Sequence, residues 1–158
     1  FAVAAPDQRG AALRAAAADA GLLEDGRLVT LGYVSDSVYY ALLHRAWAVV
    51  MPTLAEGGGS FPVMEAMQAG IPAICSDIPV LREQVAFYGG RPLWFDPLSS
   101  QDLAARLEDL RLNYDRERAH AATASAVMLR RTWNDVADDY KKIFTAAASG
   151  GAKGEATT

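Results

Sequence analysis

Two hydrophobic periods alternate along this chain. Short apolar runs of strand length, at 48–51 (AVVM), 72–76 (PAICS) and 93–95 (LWF), are separated by stretches whose apolar residues return every three or four positions. Phe1 to Ala5 reads as a strand with Pro6 and Asp7 as its exit. From Asp7 to Leu22 the spacing of Leu13, Ala16, Ala17 and Ala20 predicts a helix closed by Gly21. Arg27 to Val34 is the next strand, and Ser35-Asp36 caps a helix carrying Val38, Ala41, Leu42 and Arg45. After the run at 72–76 come a turn, Asp77-Ile78-Pro79, and a short helix containing Leu81, Glu83 and Val85. The remainder is helical. Ser99 with Asp102 reads as a capping box opening a helix with Leu103, Leu107 and Leu110 on one face. A second helix runs from about Asp115 to Arg131. A third begins at Thr132, with Asp135 as box partner, and lines up Trp133, Val136, Ala137, Tyr140 and Phe144 in a stripe expected to be core packing. Strands alternating with helices predict an α/β architecture, a doubly wound parallel sheet covered on both faces.

The stretch 48–79 holds the candidate chemistry. Pro52 cannot continue a central ladder, so the strand at 48–51 stops there. Gly57, Gly58 and Gly59 let the backbone approach a ligand closely. Pro62 is well placed as the first helical residue, and Ser60 just before it is the expected cap. Free N–H groups and the positive end of the helix dipole then make this terminus an anion site, most often for phosphate. Glu56 and Glu65 frame the loop. An acid is unwelcome beside phosphate, so it is expected to accept hydrogen bonds from hydroxyls, as an acid does on a ribose. These features suggest a nucleotide sugar, while for a lone glycine loop the plainer reading, a glycine-rich turn in which Glu65 merely favours the helix start, is the commoner one.

Composition narrows the classes. The 158 residues make room for one domain with a real core, expected over 1–148, and 149–158 (SGGAKGEATT) reads as a disordered tail. Fifteen Lys plus Arg against 19 Asp plus Glu, without a dense basic run, argue against nucleic-acid binding. No apolar segment approaches the ~20 residues that span a bilayer, and the first residues lack a signal-peptide pattern, so the expected location is cytoplasmic. The single Cys75 lies in an apolar strand and reads as a buried structural thiol. His44 and His120 are lone histidines on helical patterns, read as surface or packing residues, and no cluster has metal-ligand spacing.

The central segment resembles the donor-binding motif of retaining glycosyltransferases of the GT-B fold, family 4, whose usual form is E-G-F-G-L-P-V-L-E-A-M-A-C-G-x-P-V-I. Here it stands as Glu56-Gly-Gly-Gly-Ser-Phe-Pro-Val-Met-Glu65-Ala-Met-Gln-Ala-Gly70-Ile-Pro72-Ala-Ile, followed by Ser76-Asp77-Ile78-Pro79. The family usually has seven residues between the two glutamates and this chain has eight, the extra one falling in the glycine loop. The likeness continues in LEDGRLVTLGYVSD, IPVLREQV, FDPLSSQDLAARL and TWNDVADDYKKIF, covering most of residues 20–145.

The resemblance implies a Rossmann-like domain, the nucleotide-sugar-binding half of a GT-B fold followed by C-terminal helices. It also implies that the domain's first strand and the acceptor-binding N-terminal domain are missing here, as in a fragment inactive alone. The implied reaction moves a hexosyl group, for example mannosyl or glucosyl, from a nucleoside diphosphate sugar to an acceptor hydroxyl, with retention and without metal or other cofactor. On that pattern Glu56 is the catalytic residue at the donor sugar, and Gly58, Gly59, Ser60 and Phe61 hold sugar and diphosphate. Glu65 binds the ribose, and Gly32, Tyr33 and Val34 lie at the base. Peripheral membrane contact of the complete protein is compatible with this pattern. The rival readings are a nucleotide-sugar epimerase, a sugar phosphorylase, or a non-catalytic docking module. Asp77 and Glu83 are explained as well by capping and solvation.

Overall fold

The computed structural model describes residues 2–3, 8–24 and 26–151, and the chain divides into two compact units, Phe1–Arg45 and Ala46–Thr158. The first contains β1 (Ala2–Val3), α1 (Gln8–Asp19), β2 (Val29–Thr30) and α2 (Asp36–Arg45). β1 and β2 pair in parallel, Ala2 opposite Val29 and Val3 opposite Thr30. Both strands are shorter than expected. Of 1–5 only Ala2 and Val3 form strand, and Phe1 and Ala4 to Asp7 lie outside the described residues. Of 27–34 only two residues pair, because Gly26 and Gly32 turn the backbone into the left-handed region at φ 69° and 61° on either side. α1 ends as predicted at Gly21, φ 66°, where the Leu22 N–H returns to the Ala17 carbonyl at 2.8 Å. In α2 Leu43 is buried, while His44 and Arg45 occupy the last turn, where cations suit the negative end of the helix dipole.

The second unit contains β3 (Val49–Met51), α3 (Phe61–Gln68), β4 (Ala73–Ser76), α4 (Pro79–Phe87), β5 (Leu93–Phe95), α5 (Ser100–Leu112), α6 (Tyr114–Met128) and α7 (Trp133–Gly151). β3, β4 and β5 form a parallel sheet in that order, with Val50, Ile74 and Leu93 in register across it. Strand residues alternate between two packed faces. Ala73 and Cys75 join Val63, Met67, Leu81 and Val85 from α3 and α4 with Ala124 of α6. Ile74 and Phe95 instead pack with Leu110, Leu103 and Leu107 of α5. Both faces of the sheet are therefore covered, which is why β4 is buried throughout. Val63, Ile74, Leu81 and Leu110 have no exposed surface, and each such side chain stabilises the fold by about 1.5–3 kcal/mol. Cys75 is buried as expected, and desolvation pushes its thiol up to about 12.

The Ser99 cap is present, with the Asp102 N–H donating to Oγ at 3.0 Å. The Asp102 carboxylate does not close the box; it accepts the Asp96 N–H at 2.8 Å. The box at Thr132 is complete: its N–H reaches the Asp135 carboxylate at 2.7 Å and the Asp135 N–H reaches Oγ1 at 3.3 Å. His120 lies 3.5 Å from buried Glu117, a local pair one helical turn apart. The aromatic stripe of α7 departs from expectation. Trp133, Tyr140 and Phe144 are 86%, 57% and 66% exposed, because nothing among the described residues covers that face. α7 continues to Gly151, three residues into the stretch read as a tail, and 152–158 lie outside the described residues. Among the described residues no helix is long and apolar enough to cross a membrane, and no group of His, Cys, Asp or Glu is placed to hold a metal ion.

Candidate functional site

The loop between β3 and α3 begins where the sheet ends. The Ser76 hydroxyl, at the end of β4, donates to the Met51 carbonyl at 3.2 Å and ties the exit of β3 to its neighbour. Pro52 then leaves the ladder, and Thr53 Oγ1 donates to the Ala55 carbonyl at 2.8 Å. Gly57 and Gly58 have open space where a side chain would stand. Gly59 does not: at φ 99° it lies against the Gln84 carboxamide, and a Cβ there would meet Nε2 at 2.6 Å.

The next residue is gripped by that same carboxamide. Gln84 Oε1 accepts the Ser60 N–H at 2.9 Å, and Nε2 donates to the Ser60 carbonyl at 3.3 Å. Ser60 stands at the N-cap of α3 with extended backbone, φ −115° and ψ 117°, as the sequence predicted. Its hydroxyl does not cap the helix, contrary to expectation. It is buried and has no hydrogen-bond partner among the described residues. α3 begins one residue earlier than expected, at Phe61, so Pro62 is its second residue, still within the first turn where its missing N–H has no partner to lose. The N–H groups of Phe61 and Val63 belong to the same turn, ahead of any intrahelical carbonyl.

The other end of α3 is held by α6. Gly70 closes the helix at φ 65°, with the Ile71 N–H on the Ala66 carbonyl at 2.8 Å. The Arg118 guanidinium donates to the Gly70 carbonyl, and the Ser125 hydroxyl to the Gln68 carbonyl at 2.7 Å.

One strand-loop-helix segment thus brings together Glu56, Gly58, Gly59, Ser60, Phe61 and Glu65. Glu56 and Glu65 are half-buried, and Phe61 is 82% exposed. Gly32, Tyr33 and Val34 fall in the first unit, just after β2, with Gly32 in the left-handed region and Tyr33 94% exposed. Asp77 caps nothing, since Ile78 is the N-cap of α4. Its carboxylate instead pairs with both Nε and Nη2 of Arg82 at 2.6 Å, and this hydrogen bonding holds the carboxyl below its usual range. Arg82 in turn stacks 4.3 Å from the Trp94 ring. Glu83 is exposed. Sequence reasoning missed Gln84, although IPVLREQV contains it; its partner lies 24 residues away, and no local spacing signals that contact.

Comparison with known proteins bears on this segment. The family model described as glycosyl transferases group 1 matches residues 13–126. The O-antigen chain mannosyltransferase B of Escherichia coli is 36% identical over 83 residues, 52% of this chain; the chain spans about a fifth (21%) of that relative's length. The crystal structure of the C-terminal domain of a glycosyl transferase group 1 family protein (LpcC) from Francisella tularensis superposes with TM-score 0.62 at 24% identity, over 77% of this chain and 61% of that one. Sucrose-phosphate synthase from Thermosynechococcus elongatus gives TM-score 0.66 at 17% identity, over 94% of this chain and 38% of that one. Both structural likenesses show a GT-B type α/β fold. With the family model covering well over half its length, including the whole of β3, the glycine loop and α3, the chain belongs to the group 1 glycosyl transferases.

Proposed function

We propose that this chain is the donor half of a retaining glycosyltransferase. It binds a nucleoside diphosphate sugar, mannosyl by likeness to the O-antigen relative, and the sugar passes to the hydroxyl of an acceptor held by a second domain. One observation carries the reading: the Ser60 hydroxyl is buried without a partner at the head of α3, beside a glycine loop at the end of a parallel strand. A buried polar atom without a partner calls for one, and the oxygens of a diphosphate supply it.

The chemistry follows from charge. Breaking the bond between the anomeric carbon and the diphosphate leaves negative charge on the phosphate oxygens. In this reading that charge is met by backbone amides, each worth ~3 kcal/mol to the transition state when preorganised. The Ser60 amide is already engaged by Gln84, so the amides of Gly58, Gly59, Phe61 and Val63 take this role. Glu56 is assigned to the hydroxyls of the donor sugar, Glu65 to the ribose, and Gly32 to Val34 to the base. The reading calls for no cofactor.

Calorimetric titration of the chain with GDP, UDP and their mannose and glucose conjugates tests it. One nucleotide is expected to bind, and Glu65→Ala to weaken it by ~1.5–3 kcal/mol through the lost charged hydrogen bond. A folded chain that binds none of them would refute the donor-half reading. The exposed row on α7 favours a docking role as second reading, and retained nucleotide binding without transfer by the complete protein would support that instead.

A further inference from the structure

We propose that Gln84 is the positioning residue of the donor loop, a role that rests on the donor-site reading above. A primary carboxamide presents a donor NH2 and an acceptor oxygen in one plane, and here both engage the same residue, Ser60, the oxygen accepting its N–H and the NH2 donating to its carbonyl. Neither an aliphatic, an ammonium nor an ionised carboxylate side chain makes both bonds. Gly59 is part of the same fit, since its lack of a Cβ and its φ of 99° let the loop lie on the carboxamide. The grip comes from a fixed base: Leu81 and Val85, on either side of Gln84 in α4, are fully buried in the core. Gln84 therefore takes the Ser60 amide out of the set of ligand donors. It aims the next free amides, Phe61 and Val63, and leaves the Ser60 hydroxyl as the side-chain group of the site.

Two readouts test this, on the chain as it stands. Hydrogen exchange followed by NMR reads the grip directly. In the wild type the Ser60 amide is expected to be protected well above those of Gly57 and Gly58; equal, fast exchange would overturn the proposal without any variant. Gln84→Met, of similar length but without the donor–acceptor pair, is expected to speed Ser60 exchange about tenfold or more while Ile74 exchange is unchanged. Gln84→Glu keeps an acceptor for that N–H and is expected to stay within about threefold of wild type. A merely space-filling role predicts the opposite order, with Met the milder change. In calorimetry with GDP and UDP, Gln84→Met is expected to weaken whichever binds by about fivefold to tenfold. Binding by the wild type with unchanged affinity in Gln84→Met overturns this inference alone. Binding of neither nucleotide by the wild type overturns the donor-site reading, and this inference with it.

Discussion

Gly59→Ala is the perturbation for which the structure makes the sharpest energetic statement. A non-glycine residue in the left-handed region costs roughly 1–2 kcal/mol, and Gly59 sits there at φ 99°. The added methyl would lie 2.6 Å from Gln84 Nε2 and 2.8 Å from its Cδ, so the carboxamide must move and both bonds to Ser60 are lost, at about 0.5–1.5 kcal/mol each. Stiffening the unfolded chain returns about 0.4–1 kcal/mol. The net expectation is a loss of about 1–4.5 kcal/mol, centred near 3 kcal/mol. With a urea slope of about 2 kcal/mol/M, the central value moves the unfolding midpoint down by roughly 1.5 M. Gly58→Ala is the control: its φ is not positive and no atom lies within 4 Å of the new methyl, so its stability should stay within about 0.5 kcal/mol of wild type. A double-mutant cycle with Gln84→Ala should show strong coupling, because once the carboxamide is gone the methyl has nothing to displace. If Gly59→Ala is no worse than Gly58→Ala, or if the cycle is additive, the close packing of loop on carboxamide is refuted.

Other expectations follow from the same packing. With its thiol buried and pushed up to about 12, Cys75 should resist a thiol reagent at pH 8 in the folded chain and react fully in denaturant; rapid labelling of the native protein would contradict its burial. Arg118→Met removes the hydrogen bond to the Gly70 carbonyl and should lower stability by about 1 kcal/mol in urea unfolding, whereas an unmoved midpoint would mean that α6 does not hold α3 in this way. Asp77 is held below its ordinary range by the Arg82 hydrogen bond, so its contribution is present above the unfolded value of about 3.9 and is lost as pH falls through the lower folded value. Arg82→Gln should accordingly flatten the acid limb of the stability curve below about pH 4 and leave its neutral part little steeper or shallower, with the difference shrinking in high salt because the pair is exposed.

The parts of this fold legible in the sequence were those governed by neighbouring residues. Pro52 ends β3, Pro62 stands in the first turn of α3, and Thr132 with Asp135 opens α7, each a matter of a few adjacent positions. The glycine loop and its two glutamates were visible for the same reason. What escaped was long-range. Gln84 reaches Ser60 across 24 residues, Arg118 reaches Gly70 across 48, and Ser125 reaches Gln68 across 57; a side chain bonding to a distant backbone leaves no periodic trace. Ser60 shows the boundary between the two. Its residue type and place at the N-cap were readable, but the grip of Gln84 on its N–H and carbonyl was not. The stripe of α7 marks another limit, because a helical period reports an apolar face without saying what, if anything, lies over it.

The helix that presents the loop is anchored at both ends, by Gln84 of α4 at its head and by Arg118 and Ser125 of α6 at its foot. Such a member acts as a strut. Under the donor-site proposal, a helix held at head and foot favours a loop already in place before an anion arrives. Such a member also offers a path by which a shift of α6 at the foot would reach the amides at the head. If the donor-site proposal holds, substitutions at Arg118 are expected to change affinity without touching the ligand.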